Sequence, residues 1–574
     1  EKTLLGQLAS QQVRWYTAGR LFVFITGALF LYLAWGTWSI FFPTLIVLIG
    51  IFLFVVSRSV DAKLRLEKLL LQISLIEQEL DLIETKKSSF QDGKEFIDAH
   101  HNFSTDLDLF VPHGIFSFFN RTSSKAGKMA LAKILLNGTN DPEKINRRIE
   151  FLSTEMDWSQ QFRVAALISS RAKAYDKQVA EFNDLNLQNS KKIGVMRWII
   201  PLISLGSLIL YNLDVIGQVA FMIVLILAFG LVASELKNTN LKSAQMDKFE
   251  GRFITMLEQV QLLKKIEHDK LELDQEQQIV QVEQALKHWL KINKRFEIRL
   301  NILVSVPLNL FLAWDFWQRL DLENWKLKNA ELLNAWEIKL QDLEAIISGA
   351  TVRFNFREET SFAQWDDVKK EFDFEELSHP LIKKENSIHN DFSFKDNMDF
   401  MILTGPNMAG KSTYLRAVGI GIISANAGFP VFSKSFILPH VDLFTSMRTT
   451  DDITQNSSYF YAELSRLSRL KKVASADRTL FVLLDEILKG TNSKDKEEGS
   501  KKFLIKLQKH NIKGIIATHD LSLCSLEKEQ AGFETYFFDS TINGDELSFE
   551  YKIKKGICKN MNASFLLKKM DLID

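Results

Sequence analysis

The chain has 574 residues, and its 71 Lys and Arg are balanced by 71 Asp and Glu. That length implies more than one folding unit, and the zero formal charge excludes a global positive field that would draw the whole molecule onto a polyanion, so a nucleic-acid role needs a local basic face. Two cysteines, Cys524 and Cys558, exclude a disulfide framework and belong to no CxxC or Cys/His cluster of metal-ligand spacing, while 44 Phe, only 9 Pro and long stretches of helical period exclude a disordered chain.

Residues 1–60 read as an N-terminal transmembrane hairpin. From Leu21 to Ser57 there is no charged residue, and one membrane-crossing helix needs only about 20 residues. Two spans, 21–35 and 40–56, fit around a turn at Gly36-Thr37-Trp38-Ser39, with Pro43 in the first turn of the second helix. The run is too long for a signal peptide and lacks a small-residue cleavage site. Residues 61–95 continue as an amphipathic linker helix, with Leu66, Leu69, Leu70, Ile73, Ile76, Leu80 and Ile83 at three- and four-residue steps.

Residues 193–236 repeat the first pattern as a second hairpin, with spans at 198–212 and 215–233 broken only by Asn212-Leu213-Asp214. Arg14, Arg20, Arg58, Lys63 and Arg65 flank the first hairpin, Lys191, Lys192, Arg197, Lys237 and Lys242 the second, and neither turn holds Lys or Arg. By the positive-inside rule both hairpins enter from and return to the cytoplasmic side, so a multi-pass membrane protein is expected, in a bacterial inner membrane, with the rest of the chain in the cytoplasm. Residues 237–350 read as further long helices, with Phe249, Phe253, Met256, Val260, Leu263 and Ile266 on one face. Leu303–Leu320 is apolar but interrupted by Asp315, Gln318 and Arg319, with Pro307 near its start, and is expected to be a buried core helix. Composition changes near residue 351, where an ATPase domain running to residue 574 is expected to begin.

Within that domain the apolar run 399–404 leads into Gly405-Pro406-Asn407-Met408-Ala409-Gly410-Lys411-Ser412-Thr413 and then a helical pattern. This is the strand, glycine-rich loop and helix order that cradles phosphates: backbone N–H groups and the helix N-terminus face the anion, Lys411 reaches the β and γ oxygens, and the Ser412 hydroxyl ligates Mg²⁺. A second apolar run, Thr479–Leu484, ends in Asp485-Glu486, placing two carboxylates at a strand's C-terminal edge. Asp485 would hold the metal through water and Glu486 would polarise the attacking water. A third, Gly514–Ala517, ends in Thr518-His519-Asp520, where His519 can contact a γ-phosphate. The expected fold is an α/β P-loop ATPase domain at the C-terminus joined to an all-α region carrying two transmembrane hairpins, and the expected activity is ATP hydrolysis with Mg²⁺.

The loop TGPNMAGKST resembles that of the MutS family of DNA mismatch-repair ATPases, whose usual form has glycine where Ala409 stands. In the same order, Glu376-Leu-Ser-His379-Pro380, Asp451-Asp452 with Asn456-Ser457-Ser458-Tyr459-Phe460 and Glu463, DEILKGTNSKD at 485–495 and ATHD at 517–520 are similar to the family's other ATPase motifs. Upstream, Thr105–Leu109, Phe118–Thr122, Ala126-Gly127, Asp141-Pro142 and Arg148-Ile149 resemble the start of its helical core, assigned to 96–192, and Trp336–Ala350 its end. The resemblance implies a homodimer in which Ser458 of one subunit completes the γ-phosphate site of the other, and a role in binding mismatched or branched duplex DNA. The departures are specific. No counterpart of the family's Phe-x-Glu mismatch wedge is seen, the second hairpin falls where the family carries its DNA clamp, Lys489 replaces an arginine, and no aromatic residue stands near Ser387 and Ile388 to stack on adenine.

Two functions follow from these residues. One is a membrane-anchored MutS-like ATPase that couples ATP use to dimer rearrangement and DNA binding. The other is a membrane ATPase of transporter or mechanical-coupling type with no DNA substrate, although no LSGGQ-type signature precedes Asp485 and only four spans are expected.

Overall fold

The computed structural model describes residues 2–170, 190–273, 276–394, 398–447, 459–470, 478–488, 493–510, 512–543 and 546–558. The chain divides into two compact units, one of Glu1–Glu77, Ser123–Lys125 and Asp157–Leu343, the other of Gln78–Thr122, Ala126–Met156 and Glu344–Asp574.

The first unit is built from long helices. Helices α1 (Lys2–Leu33) and α2 (Trp38–Thr85) meet at a turn where Gly36 has a φ of 89° and Thr37 Oγ1 donates to Ala34 O at 2.8 Å. Trp35, Trp38, Phe41 and Phe42 cluster at this turn, with Trp38 stacked on Phe42 at 5.7 Å. Helices α3 (Ser190–Asn212) and α4 (Gln218–Ser234) form a second antiparallel pair, and α5 (Leu236–Leu263) follows α4 after a bend of 46°. Among the described residues three helices are long and apolar enough to cross a membrane, or four when α4 and α5 count as one bent span. Helix α6 (Glu276–Glu297) packs on α5 through the edge of Trp289 against Phe253, 4.8 Å between ring centres.

The stretch expected as one buried core helix, 303–320, is two elements. Helix α7 (Ile302–Leu312) ends at Ala313, whose φ of 49° is left-handed and interrupts the helix, and α8 (Trp314–Asn355) starts directly after it. The polar residues that interrupt the apolar run belong to α8 and are buried, whereas the apolar residues of α7 are largely exposed. Arg319 donates to Glu235 Oε2 at 3.1 Å and to Thr239 Oγ1 at 3.2 Å, and Lys242 pairs with Glu323 at 3.1 Å. The break at Ala313, which the sequence does not announce with Gly or Asn, is what parts the two halves.

The second unit carries strands β1 (Gln364–Trp365), β2 (Phe372–Leu377), β3 (Asn390–Phe394), β4 (Phe400–Thr404), β5 (Ser435–Leu438), β6 (Val441–Ser446), β7 (Thr479–Asp485), β8 (Ile512–Ala517), β9 (Phe533–Asn543) and β10 (Glu546–Lys555). A four-stranded sheet has the order β1-β5-β2-β3 and a six-stranded sheet the order β10-β9-β4-β8-β7-β6. In the larger sheet every pairing except β9–β10 is parallel. Its central strands FMILT, TLFVLL and GIIA are buried end to end, as a sheet covered on both faces requires. Helices α9 (Lys411–Asn426), against β6, β7 and β8, and α11 (Ser493–Gln508), against β8, supply that cover, and α10 (Tyr459–Ser468) lies between them in sequence. The segment around residue 106 is tied to β6 and α10: Asp106 Oδ2 accepts from Thr445 Oγ1 at 2.6 Å, Arg466 Nη2 at 2.8 Å and Met447 N at 3.2 Å.

Candidate functional site

Parallel register brings three strand ends to one edge. Leu403 of β4 and Asp485 of β7 both pair with Ala517 of β8, so Gly405, Glu486 and Thr518 leave the sheet side by side. Glu486 N donates to Ala517 O and Thr518 N to Leu403 O, each at 2.9 Å, which fixes the three exits against one another.

Gly405 begins the loop at a φ of 146°, and a Cβ there would stand 2.8 Å from Phe538 O, so only glycine fits. Gly410 closes the loop at a φ of 100° directly before α9. Between them Pro406 is half-buried, Asn407 and Met408 are exposed, and Ala409 is buried, its added methyl group accommodated. The first turn of α9 then presents Lys411, Ser412 and Thr413, with unsatisfied N–H groups and the positive end of the helix dipole, to the same space.

Lys411 Nζ donates to Gly405 O and Pro406 O, each at 2.8 Å, and lies 3.3 Å from His519 Nε2. Burial lowers the Lys411 pKa while Asp485 and Glu486 oppose the shift. His519 Nε2 also stands 3.1 Å from Glu486 Oε1. Burial and then the Lys411 charge push the His519 pKa down against the pull of the two carboxylates, which keeps the imidazole neutral at pH 7. Ser412 Oγ donates to Asp485 Oδ2 at 2.6 Å. Two hard oxygen donors thus converge beside the loop, a pair suited to a Mg²⁺ that keeps water and phosphate oxygens as its other ligands. Among the described residues no group of three or more His, Cys, Asp or Glu forms a metal cage. Glu486 itself holds a φ of 53° and Leu488 one of 58°, and Leu488 N donates to Glu463 Oε1 at 2.5 Å, anchoring the turn after the carboxylate pair.

The sequence-derived residues Asn407, Met408, Gly410, Lys411, Ser412, Thr413, Asp485, Glu486 and His519 line one cavity of about 520 Å³. Asp451, Asp452, Asn456, Ser457, Ser458 and Lys489 lie outside the described residues. Other residues of the cavity carry no assigned role in the sequence, and three of them bear on its chemistry. Tyr551 of β10 covers Gly410, where an added Cβ would come 3.0 Å from its ring. Its φ of 51° falls in a bulge of the β9–β10 ladder, and Asn390 of β3 satisfies the freed backbone: Asn390 Nδ2 donates to Tyr551 O at 2.9 Å and Ile553 N to Asn390 Oδ1 at 2.8 Å. His379 accepts at Nδ1 from Leu381 N at 3.3 Å, and burial beside Arg416 pushes its pKa down to about 4. The His379-Pro380 dipeptide was visible as a motif but carried no role, and nothing local marks Tyr551 or Asn390.

Residues 401–569 match MutS domain V. The chain is 31% identical over 192 residues to the DNA mismatch repair protein MutS of Persephonella marina, covering 32% of this chain and 22% of that protein. It is 32% identical over 182 residues to the DNA mismatch repair protein MutS of Thermotoga petrophila, covering 31% and 23%. It is 32% identical over 201 residues to the human MutS protein homolog 4, covering 32% and 20%. The chain therefore spans about a fifth of the length of the curated relatives it matches.

Proposed function

We propose that this chain, which belongs to the MutS family through its C-terminal domain, is a membrane-anchored ATPase whose nucleotide cycle drives rearrangement of a homodimer on mismatched or branched duplex DNA. The observation that carries the ATPase reading is the convergence of Lys411, Ser412, Asp485, Glu486 and His519 on one loop at one sheet edge.

In this reading the loop amides and the α9 N-terminus bind the ATP phosphates, and Lys411 moves its proton donors to the β and γ oxygens. Ser412 Oγ and Asp485 would hold Mg²⁺, which would supply neutralisation of charge on the phosphoryl oxygens. Glu486 accepts the proton of the attacking water. Neutral His519, between Lys411 and Glu486, donates an N–H to the γ-phosphate. Tyr551 offers its ring to the base, the role for which the sequence near Ser387 and Ile388 holds no aromatic. Ser458 of a second subunit completes the γ-phosphate site. The two helical pairs cross the bilayer, supported by the length and apolar exposure of α1, α2 and α3.

The test is ATP hydrolysis and DNA binding by the purified protein in detergent. Lys411→Ala lowers nucleotide affinity, and Glu486→Gln binds ATP but hydrolyses it about 10²-fold more slowly. Binding to homoduplex, mismatched and branched DNA that weakens with salt supports the DNA reading. Normal ATPase activity with no salt-sensitive DNA binding in any nucleotide state favours the DNA-independent membrane ATPase. A tag in the 36–39 turn that reacts only from the cytoplasmic side refutes the topology.

A further inference from the structure

We propose that α7, together with Leu300 before it, is inserted in the lipid bilayer beside the α3–α4 hairpin, as a half-length element confined to the leaflet at the hairpin's open end. The proposal rests on the membrane reading above and adds to it a third embedded element.

The burial pattern around Ala313 is inverted relative to a water-facing helix. Leu300, Ile302 and Leu303 are 81%, 73% and 86% exposed, whereas Asp315, Gln318 and Arg319 are 4%, 4% and 1% exposed. Helix α7 itself, ILVSVPLNLFL, carries no charge. A contiguous apolar surface of this kind calls for an apolar partner, and its position identifies which one. Ala313 packs with Ile193 and Ile200 at the start of α3 and with Ala228 and Val232 at the end of α4, joined by Leu310. The outward faces of the same two helices, such as Leu202 and Ile226, are exposed and apolar as well, so the surface of α7 continues the surface of the hairpin. Whatever covers one covers the other.

Length fixes the depth. Eleven residues at 1.5 Å each reach about 16 Å, half of a hydrocarbon core about 30 Å thick, so α7 cannot cross. The residues around it suit an interface. Trp198 of α3 and Trp317 of α8 meet edge to face at 5.1 Å, and the Arg197 guanidinium lies 4.5 Å over the Trp317 ring. Each end of the helix has backbone groups satisfied within the protein, which lowers the cost of a low-dielectric setting. Asn301 accepts from Leu303 N at 3.2 Å, Ala313 N donates to Asn309 O at 3.0 Å, and Asn309 Oδ1 accepts from Asp315 N at 2.9 Å.

The experiment uses the full chain in liposomes with single added cysteines carrying an NBD fluorophore. Cys524 and Cys558 are both buried, so unsubstituted protein provides the labelling blank. Leu303→Cys reports on α7, Ile226→Cys on α4, and Val368→Cys, 94% exposed, on the aqueous side. With nitroxide groups placed on the lipid acyl chains, Leu303→Cys is expected to be quenched at least half as strongly as Ile226→Cys, and Val368→Cys not at all. If Ile226→Cys is quenched while Leu303→Cys behaves like Val368→Cys, α7 lies outside the bilayer and the proposal falls, although the hairpin reading stands. If Leu303→Cys shows blue-shifted emission without lipid quenching, a protein surface such as a second copy covers α7, and the proposal also falls. If none of the sites is quenched, the membrane reading fails and takes the proposal with it. Leu300→Cys, labelled in parallel, guards against a local effect of the fluorophore at 303.

Discussion

Ser412 Oγ donates a 2.6 Å hydrogen bond to Asp485 Oδ2, joining the first turn of the helix after the loop to the last residue of a strand far along the chain. The two oxygens are the donor pair proposed to hold Mg²⁺. Ser412→Ala and Asp485→Asn are therefore expected to raise the Mg²⁺ concentration needed for half-maximal ATPase activity by about tenfold or more. Nucleotide binding in EDTA, followed with a fluorescent ATP analogue, should be retained in both variants. An unchanged Mg²⁺ titration would remove this pair from the metal site.

Tyr551 faces the cavity from a bulge that Asn390 holds on both sides. Tyr551→Ala should weaken ATP binding by about tenfold, the scale of one aromatic stacking contact, while Tyr551→Phe leaves it unchanged. Asn390→Ala, which frees the bulge without touching the ring, should produce part of the same loss. Equal affinities across Tyr551, its Ala variant and its Phe variant would show that the ring is a bystander.

His379 gives the fold an acid sensitivity. Its pKa is about 4 in the folded protein and about 6.5 unfolded, so between these values the unfolded chain binds more protons and stability falls as pH is lowered. The loss begins near pH 6.5 and levels off near pH 4. With allowance for partial exposure of the ring it amounts to about 2 kcal/mol. Thermal unfolding in detergent across this window should show a smaller acid loss for His379→Asn than for the unsubstituted protein, and identical pH profiles would sink the assignment.

Arg121 and Glu79 form a bidentate pair in the second unit, Nε to Oε1 at 3.0 Å and Nη2 to Oε2 at 2.7 Å, with the arginine side chain fully buried. Removing one partner strips the other buried charge of its bidentate contact. Glu79→Ala and Arg121→Ala are each expected to cost about 3–5 kcal/mol, and the double variant less than the sum. Additive losses in a double-mutant cycle by thermal unfolding would contradict direct coupling.

What could be read from the sequence was whatever chemistry is written contiguously. Gly405–Thr413 is one unbroken motif that runs from an apolar strand through a loop into a helix, and Asp485-Glu486 and His519 each follow a run apolar enough to be a buried strand, so their meeting at one sheet edge follows from parallel pairing. Tyr551 and Asn390 come together only through the β9–β10 bulge, which no local residue pattern encodes. Asp106 likewise bonds Thr445 and Arg466, more than three hundred positions away, and carried no chemical role in the sequence. The stretch 303–320 was misread for a different reason. Its average polarity suggests one buried core helix, whereas the left-handed residue Ala313 breaks the helix and sorts apolar and polar residues into separate elements with opposite environments.

The hold on Lys411 has a consequence for how any anion arrives. Two loop carbonyls and His519 surround its ammonium group, so an incoming phosphate gains the lysine by exchange, and the observed affinity is the intrinsic one multiplied by the fraction of molecules in which the ammonium is free to turn outward. The loop thus acts as its own competitive inhibitor. On the proposed reading, its leniency toward nucleotide is set by the strength of two carbonyl contacts as much as by the charge they restrain.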